Sequence, residues 1–103
     1  GIKVEDPSID LAVLSALLSS YEDIPLPQQI CFAGEVGLSG EIRAVNRIEQ
    51  RIAEAEKLGF EKIIVSKYNL GRGREGKTSL LHQSFNIEII TMARVDELYQ
   101  YLF

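Results

Sequence analysis

Three groups of side chains in this sequence are of types that do chemistry. Ser8 follows Asp6-Pro7, and a hydroxyl there is a nucleophile if a neutral amine or an imidazole lies in reach. Residues 71–78 read GRGREGKT, which satisfies the G-x-x-x-x-G-K-[ST] spacing of a phosphate-binding loop. In such a loop glycine amides wrap the phosphates, the lysine meets the terminal ones and the threonine holds magnesium. Lys67, Arg72, Arg74 and Lys77, with Glu75 as the one acid among them, give residues 67–84 a charge of +3 inside a chain of −4. Such a patch suits phosphate contact without sequence reading.

The context argues against the phosphate loop. Residues 67–70 separate the strand expected at 62–66 from the first glycine, which should follow almost at once. After Thr78 only about seven residues remain before the next strand, too few for the long helix that belongs there. No later strand ends in Asp to complete a magnesium site. Residues 67–84 therefore read as a basic exposed loop, long by the standard of compact domains and of the kind that tends to be functional. His82 is the only histidine and has no carboxylate partner nearby in sequence. Cys31 is the only cysteine and sits in an apolar stretch, so it reads as an inert core residue.

The elements that must position these groups follow from periodicity. Residues 1–4 read as the end of a strand. Asp6-Pro7-Ser8 looks like a helix start, with Asp6 capping and Pro7 at the first helical position. Residues 9–21 then form a helix with Leu11, Leu14, Leu17 and Leu18 at helical spacing and Val13 and Ala16 between them, apolar enough all round to be buried between layers. Pro25 and Pro27 stiffen the connector. Residues 30–36 are a central strand, GLSG at 37–40 is a turn, and 41–45 return to complete a hairpin. Residues 47–58 are a second helix with Ile48, Ile52 and Ala55 inward, stopped by Gly59. Strands are expected at 62–66 and 86–92, and a short helix at 94–102 with Val95, Leu98, Tyr101 and Leu102 inward.

Composition bounds the class. The chain has 103 residues, 46% apolar and 25% charged, which is the balance of one globular domain and excludes a disordered tail or a disulfide scaffold. One cysteine excludes an intrachain disulfide and a Cys-rich zinc site. No apolar run approaches the ~20 residues of a membrane span. A reducing, cytoplasmic setting is expected. The chain begins at Gly1 and its only methionine is Met92, so it reads as a piece of a longer protein.

The order of motifs from residue 1 to 68 is specific. GIKVEDPSIDLAVLSALLSS, then PLP, then FAGEVGLSGEIRAVNRIEQRIAEAEKLGFEKIIVSK resembles the carboxy-terminal, Lon-protease-like domain of the RadA (Sms) family of bacterial DNA repair proteins. GEVGLSGEIR, RIEQR and AEKLGF carry most of that resemblance, which covers about two thirds of the chain; residues 86–103 match in pattern only. It implies an α+β fold: a Lon-protease-domain-like mixed sheet packed with helices, here without its N-terminal strands, with 1–103 as one partial domain and 67–84 as a loop within it. An edge left open by those strands would be covered by self-association or by a rearranged edge strand.

Lon-type proteases use a Ser-Lys dyad, and the resemblance places their serine at Ser8. Aligned on Gly34-Glu35 and Gly40, their lysine falls at Glu49 and their supporting threonine at Gly37. A lysine amine has a reference pKa of about 10.4 and a glutamate about 4.3, a loss of basicity of roughly 8 kcal/mol. Ser8 and Glu49 are thus the positions of a degenerate dyad, and no catalytic residue is assigned. The plain readings are a helix-start hydroxyl for Ser8 and a first-turn acid for Glu49. A lysine brought from elsewhere, such as Lys62 or Lys67, would restore an active Ser-dependent peptidase, the alternative function.

The resemblance implies a non-proteolytic scaffold and oligomerisation domain of an ATP-dependent DNA repair and recombination protein that drives branch migration. Its partners would be further copies of itself in a ring, expected to be a hexamer, and DNA through Lys67, Arg72, Arg74 and Lys77, with no membrane. The fragment itself would be no enzyme and hold no cofactor. The parent would be a DNA-dependent ATPase, with ATP, magnesium and zinc held by upstream domains.

Overall fold

The computed structural model describes residues 7–70 and 85–103. Its elements run β1 (Ser8–Asp10), α1 (Leu11–Glu22), β2 (Ile30–Ala33), β3 (Glu35–Gly37), β4 (Ile42–Arg43), α2 (Ile48–Lys57), β5 (Lys62–Ser66), a 3-10 turn (Lys67–Asn69), β6 (Glu88–Met92) and α3 (Val95–Leu102). They make a mixed α and β architecture with two three-stranded sheets. The expected strand 1–4 lies outside the described residues. No helix among the described residues is long and apolar enough to cross a membrane.

β5 is the centre of the larger sheet, which is parallel in the order β2-β5-β6. Its run of isoleucines and valine is the pattern of a strand buried on both faces. Ile63 and Val65 join Ala33, Ile48, Ile52, Ala55 and Ile87 in one apolar cluster under α2. Ile64 points the other way, into a cluster with Leu11, Val36, Ile42, Met92 and Leu98. Full burial of side chains such as Ile52 and Ile64 is worth about 1.5–3 kcal/mol each. Ser66 ends the strand fully buried, and its hydroxyl is satisfied twice: it donates to Ile42 O (2.8 Å) and accepts from Tyr68 N (3.1 Å).

Residues 30–36, expected as one strand, are two. The break is at Gly34, whose flanks belong to different sheets. A Cβ there would lie 3.2 Å from Leu11 Cδ2 and 3.3 Å from Ile42 Cγ2, so the backbone passes where a side chain would crowd both. Leu11 N donates to Gly34 O (2.9 Å) and ties α1 to the bend. Beyond it, β3 pairs antiparallel with β4 and with β1, in the order β1-β3-β4. The hairpin expected around GLSG is present. Its tip is held over the β6–α3 connector by Ile42 N to Ala93 O (2.8 Å), Val95 N to Gly40 O (2.9 Å) and Arg94 Nη2 to Ser39 O (2.9 Å). Gly40 has φ +80°, which glycine adopts without penalty.

α1 corrects two expectations. Its N-cap is Asp10, whose Oδ1 accepts from Ala12 N (2.8 Å) and Val13 N (3.2 Å). Ser8 and Ile9, read as helix start, are instead in β1, because β3 offers them a strand partner that no local propensity reveals. Nor is α1 buried between layers: only Leu11 and Ser15 are fully covered, while Val13, Leu17 and Tyr21 are 50, 55 and 84% exposed. α2 is as expected, with Ile48, Ile52 and Ala55 buried and Gly59 (φ +95°) at its end. In α3 Leu98 is buried, but Tyr101 is 43% exposed rather than inward. The last strand begins at Glu88, two residues later than expected, with Glu56 Oε1 accepting from Asn86 N (2.6 Å) and Ile87 N (3.0 Å) before it.

Asn69 joins the end of β5 to the entry of α2. Its Oδ1 accepts from Val45 N (3.1 Å) and its Nδ2 donates to Val45 O (2.8 Å). Asn69→Ala leaves both backbone groups half-buried without partners and should cost about 1–3 kcal/mol. Denaturant unfolding of both proteins tests it: an unchanged midpoint would show that Val45 finds other partners.

Candidate functional site

Ser8 lies on β1 and is exposed. With Pro7, Ile9, Val36, Gly37 and Leu38 it lines a shallow groove of about 230 Å³. Asp10, not Ser8, performs the capping that a helix-start residue would do. Opposite Ser8 in the β1–β3 register stands Gly37, the position matched to the supporting threonine. Sequence alignment alone did not reveal that these two positions are cross-strand partners.

An ion pair fills the space a Gly37 side chain would take. Glu41 Oε2 accepts from Arg43 Nε (2.9 Å) and lies 2.8 Å from Nη2, while Oε1 accepts from Ser39 N (3.1 Å). A Cβ on Gly37 would overlap Glu41 Oε2 and stand 2.5 Å from Arg43 Nη2. Hydrogen bonds from the backbone and from Arg43, together with the guanidinium charge, hold the Glu41 carboxyl below its ordinary range. A β-branched residue at position 37 would have to displace this pair.

Glu49 stands in the first turn of α2, half-buried, as its plain reading had it. Its neighbour Ile48 packs in the cluster under α2, whereas Ile9, next to Ser8, packs against the opposite cluster. Among the described residues no hydrogen bond joins Ser8 to Glu49 or to a lysine. Lys62 begins β5, paired with Ile30 and Glu88. Lys67 holds its ammonium 5.9 Å from the Tyr68 ring centroid. Arg72, Arg74, Lys77, His82 and the 71–78 motif lie outside the described residues, so only Lys67 of the basic patch is placed, exposed on the turn after β5. Among the described residues no cluster of His, Cys, Asp or Glu could hold a metal ion.

A second concavity went unnoticed in the sequence. Between α2 and β2 lies a groove of about 390 Å³ lined by Cys31, Ala55, Phe60 and Ile63 together with the charged Arg47, Arg51 and Glu54. Cys31 is half-buried there, packed against the core cluster under α2, and burial pushes its thiol up. The signal available in the sequence was the row Arg47, Gln50, Arg51, Glu54 and Leu58 at helical spacing.

Residues 1–69 match the protein family described as subunit ChlI of Mg-chelatase, and the chain belongs to that family. Curated relatives are more particular. The chain is 63% identical to the DNA repair protein RadA of Streptococcus pneumoniae over 70 residues, 68% of this chain and 17% of that protein. It is 44% identical to the RadA of Bacillus subtilis over 97 residues, 94% of this chain and 19% of that protein. The RadA of Listeria monocytogenes is 54% identical over 71 residues, 69% of this chain and 16% of its own length. The RadA resemblance read from the motifs is therefore one of homology. The Bacillus alignment carries it across nearly the whole chain, beyond the two thirds marked by those motifs. The chain spans less than a fifth of the length of these relatives.

Because the folded-state pKa of Glu41 is lowered, its contribution to stability is present above the unfolded value of about 4.3 and is lost as pH falls through the lowered folded value. Glu41→Gln should therefore be less stable than the parent near neutrality, with the gap closing in acid. Urea unfolding from pH 3 to 7 checks this; a gap independent of pH would rule out the ion pair as its cause.

Proposed function

We propose that this chain is a Lon-like domain, spanning residues 1–103, that has lost peptide cleavage and serves a RadA-type DNA repair protein as a scaffold. The observation that carries the reading is the filled space at Gly37. The residue across from Ser8 has no side chain, Glu41 and Arg43 occupy its place, and no amine is bonded to the Ser8 hydroxyl among the described residues. A serine without a base is an ordinary alcohol. The 44–63% identity to proteins named for DNA repair supplies the setting.

In this reading the domain packs side by side with other copies and sets the geometry of a ring, expected to be hexameric. Upstream parts of the whole protein hold zinc, bind ATP with magnesium and drive branch migration in the cytoplasm. The exposed apolar face of α1 supports a packing role, since a helix with three large apolar residues half or more exposed leaves surface to be covered. The basic segment, residues 67–84, is the second contact. Lys67, Arg72, Arg74 and Lys77 meet DNA phosphates, which needs charge and not base reading.

Two experiments test the two halves. Binding of single-stranded DNA should weaken with salt. The Arg72→Ala, Arg74→Ala, Lys77→Ala triple variant should lower the slope of log K against log salt by about 2, at roughly 0.7 for each phosphate no longer neutralised; an unchanged slope removes the DNA contact. Ser8 should resist an active-site-directed electrophile, and Ser8→Ala should leave an unfolded protein substrate as intact as the parent does. Cleavage by the parent that Ser8→Ala abolishes would establish the peptidase alternative.

A further inference from the structure

The groove between α2 and β2 has two unlike ends. Cys31 of β2, Ile63 of β5, Ala55 of α2 and Phe60 beyond that helix give it an apolar lining. Leu58, 69% exposed, extends this surface at the C-terminal end of α2. Two cations, Arg47 and Arg51, stand at the N-terminal end. Among the described residues neither forms an ion pair with a carboxylate. Glu49, the acid of the first turn, does not line the groove; Glu54 does, one turn beyond Arg51. A volume of about 390 Å³ falls among small-molecule sites, which run from roughly 300 to 1,000 Å³ and combine an apolar wall with a few orienting polar groups.

The cationic end is held in place from elsewhere in the chain. Arg47 has φ +59° and ψ +43°, a left-handed conformation that is strained for a residue with a long side chain. Asn69 bonds both the N and the O of Val45, two residues earlier. Arg51 then ties back to the same stretch, its N donating to Arg47 O (3.1 Å) and its Nε to Asn46 O (2.9 Å). The second bond draws the Arg51 side chain toward the start of the helix. A side chain already oriented loses less freedom when a ligand arrives.

We propose that this groove binds a small amphipathic monocarboxylate of the N-acyl amino acid type. Its carboxylate meets Arg47 and Arg51, its apolar side chain lies on Cys31, Phe60 and Leu58, and its amide N–H donates to Glu54. Guanidinium groups match a carboxylate in charge and in fork geometry. Arg51 and Glu54 are about 4.5 Å apart along the helix axis, close to the separation of anion and donor in such a ligand. Glu54 also repels a second negative charge at that point, which disfavours dicarboxylates and phosphodiester chains. The site is separate from the scaffold and DNA contacts, and its failure would leave both standing.

N-acetyl-phenylalanine and its carboxamide, titrated into the 103-residue chain and followed by heteronuclear NMR, test the site. Cys31, the only cysteine, supplies a second readout through its rate of reaction with an aromatic disulfide at about pH 8.5, where more of the thiol is ionised. The acid should bind at millimolar concentration or below, shift the amides of the first turn of α2 and slow the reaction of Cys31. The carboxamide should bind at least tenfold more weakly, because it forfeits the charge-assisted bonds. Arg51→Gln should weaken the acid to the level of the carboxamide and leave the carboxamide unchanged, whereas Glu54→Ala should weaken both. Circular dichroism confirms folding, and Arg47→Gln replaces Arg51→Gln if that variant fails the check. Equal affinity of acid and carboxamide, binding that leaves Cys31 unprotected, or no binding at tens of millimolar overturns the proposal. Tighter binding by a longer peptide with the same C-terminal residue would assign the groove to a polypeptide end and overturn the small-molecule reading.

Discussion

The structure depends on β5 being covered on both faces. Ile63 and Val65 need α2 above them, and Ile64 needs α1, α3 and the second sheet below. Neither side alone encloses the strand, so both sheets take part in covering it. Ser66 is the polar expression of the same constraint. Burying a hydroxyl is costly unless it is bonded, and that of Ser66 donates to Ile42 O on the hairpin of the other sheet. The Asn69 amide adds a second tie from the same turn to Val45. The hairpin is therefore held at its base by the end of β5 and at its tip by the start of α3.

That double hold decides the character of the Ser8 groove. β1 and β3 place Ser8 opposite Gly37, the arrangement in which a supporting side chain could reach across. Glu41 and Arg43 instead fold over the glycine, and the Ser39 amide closes onto the same carboxylate. The hairpin is a self-satisfied turn. Its polar groups bond to one another and to the β6–α3 connector.

What the fold leaves outside is as telling as what it buries. Leu11, Leu14, Leu17 and Leu18 look alike in sequence, yet only the first is fully covered. A helix of 12 residues lying on a small domain can bury one face, and the rest of its apolar surface faces outward. α2, built with charged residues on that side, does not share the problem. The asymmetry between the two helices gives the molecule two unlike outer surfaces.

The sequence by itself determined the elements whose pattern is local: α2 with Gly59 behind it, β5, the GLSG hairpin and the short closing helix. Each has a period or a stop residue within a dozen positions, and the RadA likeness was legible in the same stretch. Tertiary structure alone decided the rest. Ser8 became strand rather than helix because β3 was there to pair with it, and residues 30–36 broke at Gly34 because Leu11 and Ile42 crowd that backbone. Cross-strand partnership, as between Ser8 and Gly37, and the exposure of one side of a largely apolar helix depend on what lies far away in the chain. Periodicity records which residues can be buried; only packing against distant elements determines which of them are.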